Sequence, residues 1–264
     1  MTSRAGAGDD ATRKSDTRAA PTVGKGRLSG RVQVPLATKP ARGPAPSYSL
    51  AQVAEAAIEI ADRDGIEAVS MRKVAASLGT GAMSLYRYVE NKESLCALML
   101  DHIHGETKLP PPVGDWRHDL RTVAAQLRDT QLTHPWLARI AAGRPAMGPN
   151  MLVIFEHAMA VLDGVGLSIE DMLGIFSMVA SWVGGFVQEE LAEQEARRNM
   201  GIDEVEWNKR MADYLERLTS GGEYPYFTRV VREGADHDFQ TRFERGLDRI
   251  IAGIAATLPE KPSR

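Results

Sequence analysis

The residues whose side chains are best suited to recognise another molecule lie in the stretch GTGAMSLYRYVENK, at positions 79–92. It places a serine hydroxyl, two tyrosines, an arginine and a lysine within a few helical turns. Hydroxyl and cationic groups of this kind donate hydrogen bonds to phosphate oxygens and to base edges. A buried helix would carry leucines at many of these positions, so the stretch predicts a surface that lies against DNA.

Helix signals on the N-terminal side would hold this surface in place. Ser49 and Gln52 form a capping box, and the apolar residues after them recur at three- and four-residue spacing as far as Gly65. Ser70 begins a second, shorter helix, which Gly79 ends because glycine readily adopts the left-handed conformation of a helix C-terminus. The sequence therefore predicts a long helix and then a short one before the tyrosine-rich stretch.

Two short helices joined by a tight turn form the helix-turn-helix plan, whose second helix enters the major groove of DNA. That second helix is expected over about residues 81–89, and Asn91 caps the next one. Outward tyrosines would reach phosphates, Arg72 would reach a guanine, and Lys92 lies where a helix N-terminus already favours a phosphate. Similar helix pairs occur in bundles that bind no DNA, so the pattern alone leaves both interpretations open.

Charge is distributed unevenly along the chain, whose 264 residues carry a net charge of −3. Residues 1–46 hold nine Lys and Arg against three Asp and Glu, whereas the rest holds 23 against 32. The first segment is also poor in large apolar side chains, which predicts a disordered basic arm. Such an arm adds affinity for DNA of any sequence, and a solvated tail remains the simpler interpretation.

Three stretches go beyond a general helical pattern: Val53-Ala54-Ala57-Ile58, VSMRKVAASLG at 69–79 and SLYRYVENKESL at 84–95. Through them residues 49–105 resemble the DNA-binding domain of the tetracycline-repressor (TetR) family. The family more often has Val-Ser where this chain has Thr80-Gly81-Ala82, so the resemblance does not say which bases are read. The resemblance implies that the residues matching the family's DNA contacts bind DNA here, and neighbouring residues of suitable chemistry are added to them. The predicted DNA-binding residues are Arg72, Lys73, Thr80, Gly81, Ala82, Met83, Ser84, Tyr86, Arg87, Tyr88 and Lys92.

Helical patterns also dominate after the three prolines at 110–112, where we expect a domain boundary. The predicted helices there span about 115–133, 135–143, 149–162, 168–198, 204–219, 224–232 and 236–258. No segment alternates with the period of a strand, so the predicted fold is all-α. It comprises a helix-turn-helix domain at 47–105, a helical domain at 113–258 and a tail at 259–264. The second domain loosely resembles the effector-binding and dimerisation domain of the TetR family.

Large or adaptable apolar residues recur on several helices of the second domain, and methionines suit pockets of irregular shape. Core packing is the simpler interpretation of each one alone, whereas the resemblance favours a ligand chamber. The candidate effector-binding residues are Trp136, Ile140, Arg144, Met147, Met151, Phe155, Met178, Trp182 and Phe186. The tetracycline repressor itself has a histidine for a metal-chelated drug where this chain has Ala141. We therefore expect another small apolar or amphipathic effector, and no metal or cofactor.

The last predicted helix carries an apolar stripe with small residues beside it, which would let a helix of a second subunit come close. The predicted dimer interface consists of Phe243, Leu247, Ile250 and Ile254. The glycine-containing helix at about 172–187 would complete a four-helix interface. Packing within one subunit would use the same stripes, and the sequence leaves that alternative open.

An enzyme is the alternative class of protein, and the sequence contains few features that indicate catalysis. The motifs HExxH, GxSxG and GxxxxGK[ST] are missing, and the single cysteine, Cys96, lies in a helical stripe. The longest uncharged run, at 172–188, is shorter than the about 20 residues that span a bilayer. We expect a cytoplasmic homodimer that binds a double-stranded DNA operator and a small effector. A helical adaptor that does not select DNA sequences is the alternative.

Overall fold

The computed structural model describes residues 48–141, 148–200, 204–235 and 237–258. These ranges contain no strand, and the all-α prediction is confirmed. The described helices are α1 (Leu50–Asp64), α2 (Met71–Ser77), α3 (Ala82–Leu85), α4 (Lys92–Glu106), α5 (Trp116–Thr133), α6 (Leu137–Ala141), α7 (Pro149–Leu162), α8 (Ile169–Met200), α9 (Glu204–Thr219), α10 (Pro225–Glu233) and α11 (Phe239–Thr257). The predicted arm at 1–46 and tail at 259–264 lie outside the described residues.

Capping residues fix where the first helices begin. At α1 the predicted capping box forms, because the Ser49 hydroxyl accepts the N–H of Gln52 at 3.1 Å and the Gln52 side-chain oxygen accepts the N–H of Ser49 at 2.8 Å. At α4 the Asn91 side-chain oxygen accepts the N–H of Ser94 at 2.8 Å. These bonds satisfy backbone donors that a helix leaves unpaired at its N-terminus.

The helices form two hydrophobic cores, and the first one belongs to the head, our name for residues 48–106. Its most buried side chains include Val53, Val74 and Leu95. Trp136 and Leu137, at the start of α6, pack into the same core. The later part of the chain therefore helps to build the head, although the prolines at 110–112 separate the two segments along the sequence.

The second core belongs to the body, our name for α5 to α11. Helices α5, α7 and α11 pack against α8, whereas α9 and α10 pack on each other. Helix α8 is, among the described residues, the one helix long and apolar enough to cross a membrane by length and composition. A third of that apolar window, 33%, is buried within the subunit. The helix thus contributes one face to the body core, and its exposed residues include Leu173 and Met178.

Candidate nucleic-acid interface and its connection to the body

A glycine in the left-handed conformation makes the turn between α2 and α3. The Ser70 hydroxyl caps α2 by accepting the N–H of Lys73 at 3.3 Å. At the other end, Gly79 has a φ of 69°, which strains residues that carry a Cβ. Its N–H donates to the carbonyl oxygen of Ala76 at 3.0 Å, and the N–H of Thr80 donates to that of Ala75 at 2.9 Å. This pair of bonds is a Schellman motif, and it confirms the predicted stop at Gly79.

Helix α3 is shorter than predicted and is anchored from its C-terminal side. Leu85 and Val89 are 1% and 2% exposed, and the N–H of Val89 donates to the carbonyl oxygen of Leu85 at 3.2 Å. With these two side chains in the head core, the outward face presents Met83 and Tyr86, which are 80% and 48% exposed. The burial of Leu85 and Val89 thus determines which residues of this segment face outward.

Tyr88 differs from its predicted outward orientation. Its hydroxyl oxygen accepts the N–H of Tyr48 at 3.0 Å, and the Tyr48 hydroxyl donates to the carbonyl oxygen of Leu78. These bonds tie the start of α1 to the end of α2 and leave Tyr88 half-buried. Tyr48 was not predicted to take part in this site, although a hydrophobic residue directly before an N-cap often packs against its helix.

The structure leaves seven of the eleven predicted DNA-binding residues exposed, and their contacts with DNA stay a prediction. The exposed ones are Arg72, Lys73, Gly81, Met83, Tyr86, Arg87 and Lys92. The half-buried ones are Thr80, Ala82, Ser84 and Tyr88. The Lys92 ammonium lies 3.5 Å from the carbonyl oxygen of Ile66, so it is held beside the end of α1.

A buried ion pair links three helices of the body. The Arg128 guanidinium on α5 donates to both carboxylate oxygens of Glu190 on α8 at 2.9 to 3.1 Å, and to the side-chain oxygen of Gln240 on α11 at 2.6 Å. It also lies 4.9 Å from the ring centre of Phe243. With side-chain exposures of 9% and 7%, the two charges depend on each other for solvation.

Most of the predicted effector-binding residues that the structure describes are divided between the two cores. Trp136 and Ile140 pack with the head core, and the indole N–H of Trp136 donates to the Asp62 carboxylate at 2.6 Å. Met151, Phe155, Trp182 and Phe186 pack against the body core, and Met178 is 46% exposed. Arg144 and Met147 lie outside the described residues. Helical spacing identifies apolar residues but not the core that each one joins, and their role in effector binding stays a prediction.

The two groups of predicted effector-binding residues lie beside two different clefts. One of about 680 Å³ is lined by Trp136 and by residues of α1 and α8. Another, of about 400 Å³, is lined by Trp182, Phe186 and residues of α11. The structure thus offers separate spaces beside the two groups of predicted residues.

Three of the four predicted dimer residues are buried in their own subunit, and their place in a dimer interface stays a prediction. Phe243, Leu247 and Ile254 are 3%, 3% and 4% exposed, and Ile250 is half-buried against the body core. Phe243 stacks on Trp182 with ring centres 5.0 Å apart. The apolar stripe is therefore used within the subunit, since the spacing suits both kinds of packing.

The connector helix α4 is joined to the body through a buried carboxylate. Helix α7 begins with Gly148 and Pro149, which offer neither a capping side chain nor a first N–H. Asp101 of α4 replaces the missing cap: its carboxylate accepts the N–H of Asn150 at 3.0 Å and the side-chain amide of Asn150 at 3.1 Å. A Cβ at position 148 would lie 1.9 Å from the Asp101 carboxylate, so the two helices pack closely here. In the sequence, the lack of a capping side chain before α7 was the one feature indicating that a residue of another helix caps it.

A second carboxylate joins the head to the segment between α5 and α6. Besides bonding Trp136, the Asp62 carboxylate of α1 lies 2.8 Å from Nδ1 of His134 at the end of α5. The head is therefore tied to the body through Asp101 and Asp62, on two different helices.

Within the described ranges, no group of three or more His, Cys, Asp and Glu residues is arranged to hold a metal ion. Burial raises the pKa of the Cys96 thiol, so this thiol is less nucleophilic than an ordinary cysteine at neutral pH. Burial also lowers the pKa of His104, with an opposing effect from Asp101.

A short outward-facing helix behind a glycine turn, on a larger helical body, defines a DNA-binding regulatory protein of the helix-turn-helix class. Residues 53–99 match the family model for bacterial regulatory proteins of the tetR family. Residues 110–258 match the model for the tetracyclin repressor-like C-terminal domain. The chain belongs to the TetR family.

Individual relatives agree with this assignment. The HTH-type transcriptional repressor DrrR1 of Streptomyces coeruleorubidus is 34% identical over 91% of this chain and 90% of its own. The tetracycline repressor protein class E of Escherichia coli is 28% identical over 81% of this chain and 93% of its own. The solved structure of ActR from Streptomyces coelicolor with actinorhodin is 31% identical, with a TM-score of 0.71 over 82% of this chain and 99% of that one. The chain is thus a ligand-responsive, DNA-binding transcriptional repressor and not an enzyme.

Proposed function

We propose that the protein is a cytoplasmic homodimer that binds a palindromic operator and leaves it when a small amphipathic molecule binds the body. The observation that carries the proposal is the outward face of α3, where Met83 and Tyr86 are exposed directly after the turn at Gly79. Two such faces must reach half-sites about 34 Å apart, and a two-fold dimer provides that spacing.

Gly81 supports a close approach of DNA to the start of α3. Its φ of −82° is an ordinary value for any residue, and a Cβ there would meet nothing within 4 Å. Neither backbone conformation nor internal packing requires glycine at this position. The missing side chain instead leaves room for a molecule outside the subunit, which fits a recognition helix whose N-terminal end enters the major groove.

The outer faces of α8 and α11 suit a contact with a second copy of the chain. A Cβ at Gly174, Gly185 or Gly253 would meet nothing within 4 Å. Leu173 and Met178 on α8 are 37% and 46% exposed, which adds apolar area beside these glycines. We place the dimer interface on these outer faces, since helices that carry glycine allow close approach of a neighbour.

Gly253→Glu is expected to weaken dimerisation at least about tenfold, because a two-fold interface would bury two unpaired charges. Gly253→Ala is the matched control and is expected to dimerise like the wild type. Sedimentation equilibrium over a range of protein concentrations measures both, and far-UV circular dichroism checks folding. A folded Gly253→Glu variant with the wild-type dissociation constant would move the interface away from α11.

The effector is proposed to bind among aromatic side chains of the body, in particular Phe155, Trp182 and Phe186. The ActR complex with actinorhodin supports a small-molecule effector for this chain as well. An effector acts only through its differential affinity for two states of the protein. A shift of α7 toward the ligand would move α4 through Asp101, and with it the head and α3.

Two substitutions distinguish sequence reading from phosphate binding in the proposed complex. Arg72→Ala is expected to lower the preference for one base pair by about 1–3 kcal/mol, because a bidentate contact with guanine would be lost. Tyr86→Phe is expected to weaken binding to every duplex by about 0.5–1.5 kcal/mol, because one hydroxyl contact with a phosphate would be lost. Affinities at one salt concentration, on a selected duplex and its single-base-pair variants, provide the measurement. If Arg72→Ala lost the same factor on every duplex, its proposed role in base reading would be wrong.

A further inference from the structure

The exposed face of the recognition helix has an unusual composition for a surface that reads DNA. Within the described residues of the head, the large hydrophobic side chains that are exposed are Met83 and Tyr86, three positions apart on α3. Met83 is the more prominent, with 80% of its surface accessible. A side chain this exposed contributes little to the core, and its place on the outward face of α3 makes it available for a contact outside the subunit.

The neighbours of Met83 offer few hydrogen bonds to bases. Ala82 and Ser84 are half-buried, Gly81 has no side chain, and no charged or amide residue lies between positions 80 and 85. Bidentate recognition of guanine or adenine requires Arg, Lys, Asn or Gln. The start of α3 therefore lacks the groups that select a purine by paired hydrogen bonds.

One base presents an apolar group in the major groove. Thymine carries a C5-methyl group there, and apolar side chains recognise it by direct contact. The thioether chain of methionine is flexible and polarizable, so it adapts to a methyl group without a fixed geometry. The open space at Gly81 lets this end of the helix approach the base edges. We propose that Met83 recognises the C5-methyl group of one thymine in each operator half-site.

The inference rests on the proposed function, in which α3 enters the major groove of a palindromic operator. Beyond the proposed function, it identifies which base the helix selects and which side chain selects that base. Met83 is exposed, so its substitution leaves both cores intact and the comparison concerns DNA binding alone.

The experiment uses the full chain and an operator obtained by selection from random duplexes. Each thymine is replaced by deoxyuridine, one symmetric pair at a time, which removes the methyl group and keeps base pairing. At one pair the wild type is expected to lose about fourfold in affinity for each methyl group removed, and about fifteenfold for both half-sites. Met83→Ala is expected to bind the two duplexes equally, whereas Met83→Leu, which stays apolar, keeps a preference for thymine.

Three outcomes would overturn the inference. Wild-type affinity that ignores every deoxyuridine replacement would show that no thymine methyl group is read. A methyl dependence that persists in Met83→Ala would assign the contact to another residue. If the folded, effector-free protein selected no duplex, the proposed function would fail, and this inference would fail with it. The first two outcomes require a selected duplex, so they contradict the inference alone.

Discussion

Glu190→Ala is expected to lower the free energy of unfolding by about 3–5 kcal/mol, because it leaves the buried Arg128 guanidinium without its carboxylate. Arg128 donates three bonds to Glu190, from α5 to α8, and both side chains are less than 10% exposed. The bond to Gln240 remains in the variant, but a neutral amide replaces little of the lost charge solvation. Urea unfolding at a fixed protein concentration measures the change, since dimerisation would make the stability depend on concentration.

Glu189→Ala is the matched control, one residue earlier on the same helix. Glu189 also pairs with an arginine, Arg242, but the side-chain exposures of this pair are 57% and 41%. Exposed ion pairs contribute about 0–1 kcal/mol, so this variant is expected to unfold close to the wild type. Equal, small effects of the two substitutions would contradict the account of Glu190 as the buried partner of Arg128.

Asp101→Ala is expected to lower the free energy of unfolding by about 2–3 kcal/mol, because α7 loses its cap and the half-buried side-chain amide of Asn150 keeps only the backbone carbonyl oxygen of residue 101 as its acceptor. The Asp101 side chain bonds both the backbone N–H and the side-chain amide of Asn150, and the residue is 8% exposed. Combining Asp101→Ala with Asn150→Ala is expected to give a coupling energy of about 0.5–1.5 kcal/mol, because the two side chains share one hydrogen bond, whereas the backbone N–H of residue 150 remains in Asn150→Ala. Unfolding of the single and double variants in urea supplies the cycle.

Glu106→Ala controls for loss of a carboxylate on α4, because Glu106 is 64% exposed and its effect on stability is expected to stay within about 0.5 kcal/mol. An Asp101→Ala variant as stable as this control would show that the contact between α4 and α7 does not depend on the cap. It would also remove the physical basis for the proposed transmission from the body to the head.

Local signals in the sequence predicted much of the fold. The observed bounds of α7 and α9, Pro149–Leu162 and Glu204–Thr219, equal the predicted ones, and the capping box at Ser49 forms as expected. These features depend on residues a few positions apart, which the sequence shows directly. The stop of α2 at Gly79 belongs to the same class, because one glycine conformation determines it.

Features that depend on distant residues were not predictable in this way. Tyr88 turns inward because Tyr48, 40 positions earlier, bonds its hydroxyl. Trp136 packs in the head because Asp62 accepts its indole N–H across 74 positions. Phe243 shares its spacing with any apolar helical stripe, and only the packing partner distinguishes a core from an interface. The residue types of the DNA-facing surface were visible in the sequence, whereas its connections to the body required the structure.

Selection of binding duplexes from a random pool measures whether α3 reads a DNA sequence. The purified, effector-free chain is incubated with random DNA duplexes at a stated salt concentration, and the recovered duplexes are sequenced. We expect an enriched palindrome, whose two half-sites lie about one turn of DNA apart. Recovery of no preferred sequence by folded, effector-free protein would contradict a sequence-reading role for α3 and favour a helical adaptor instead.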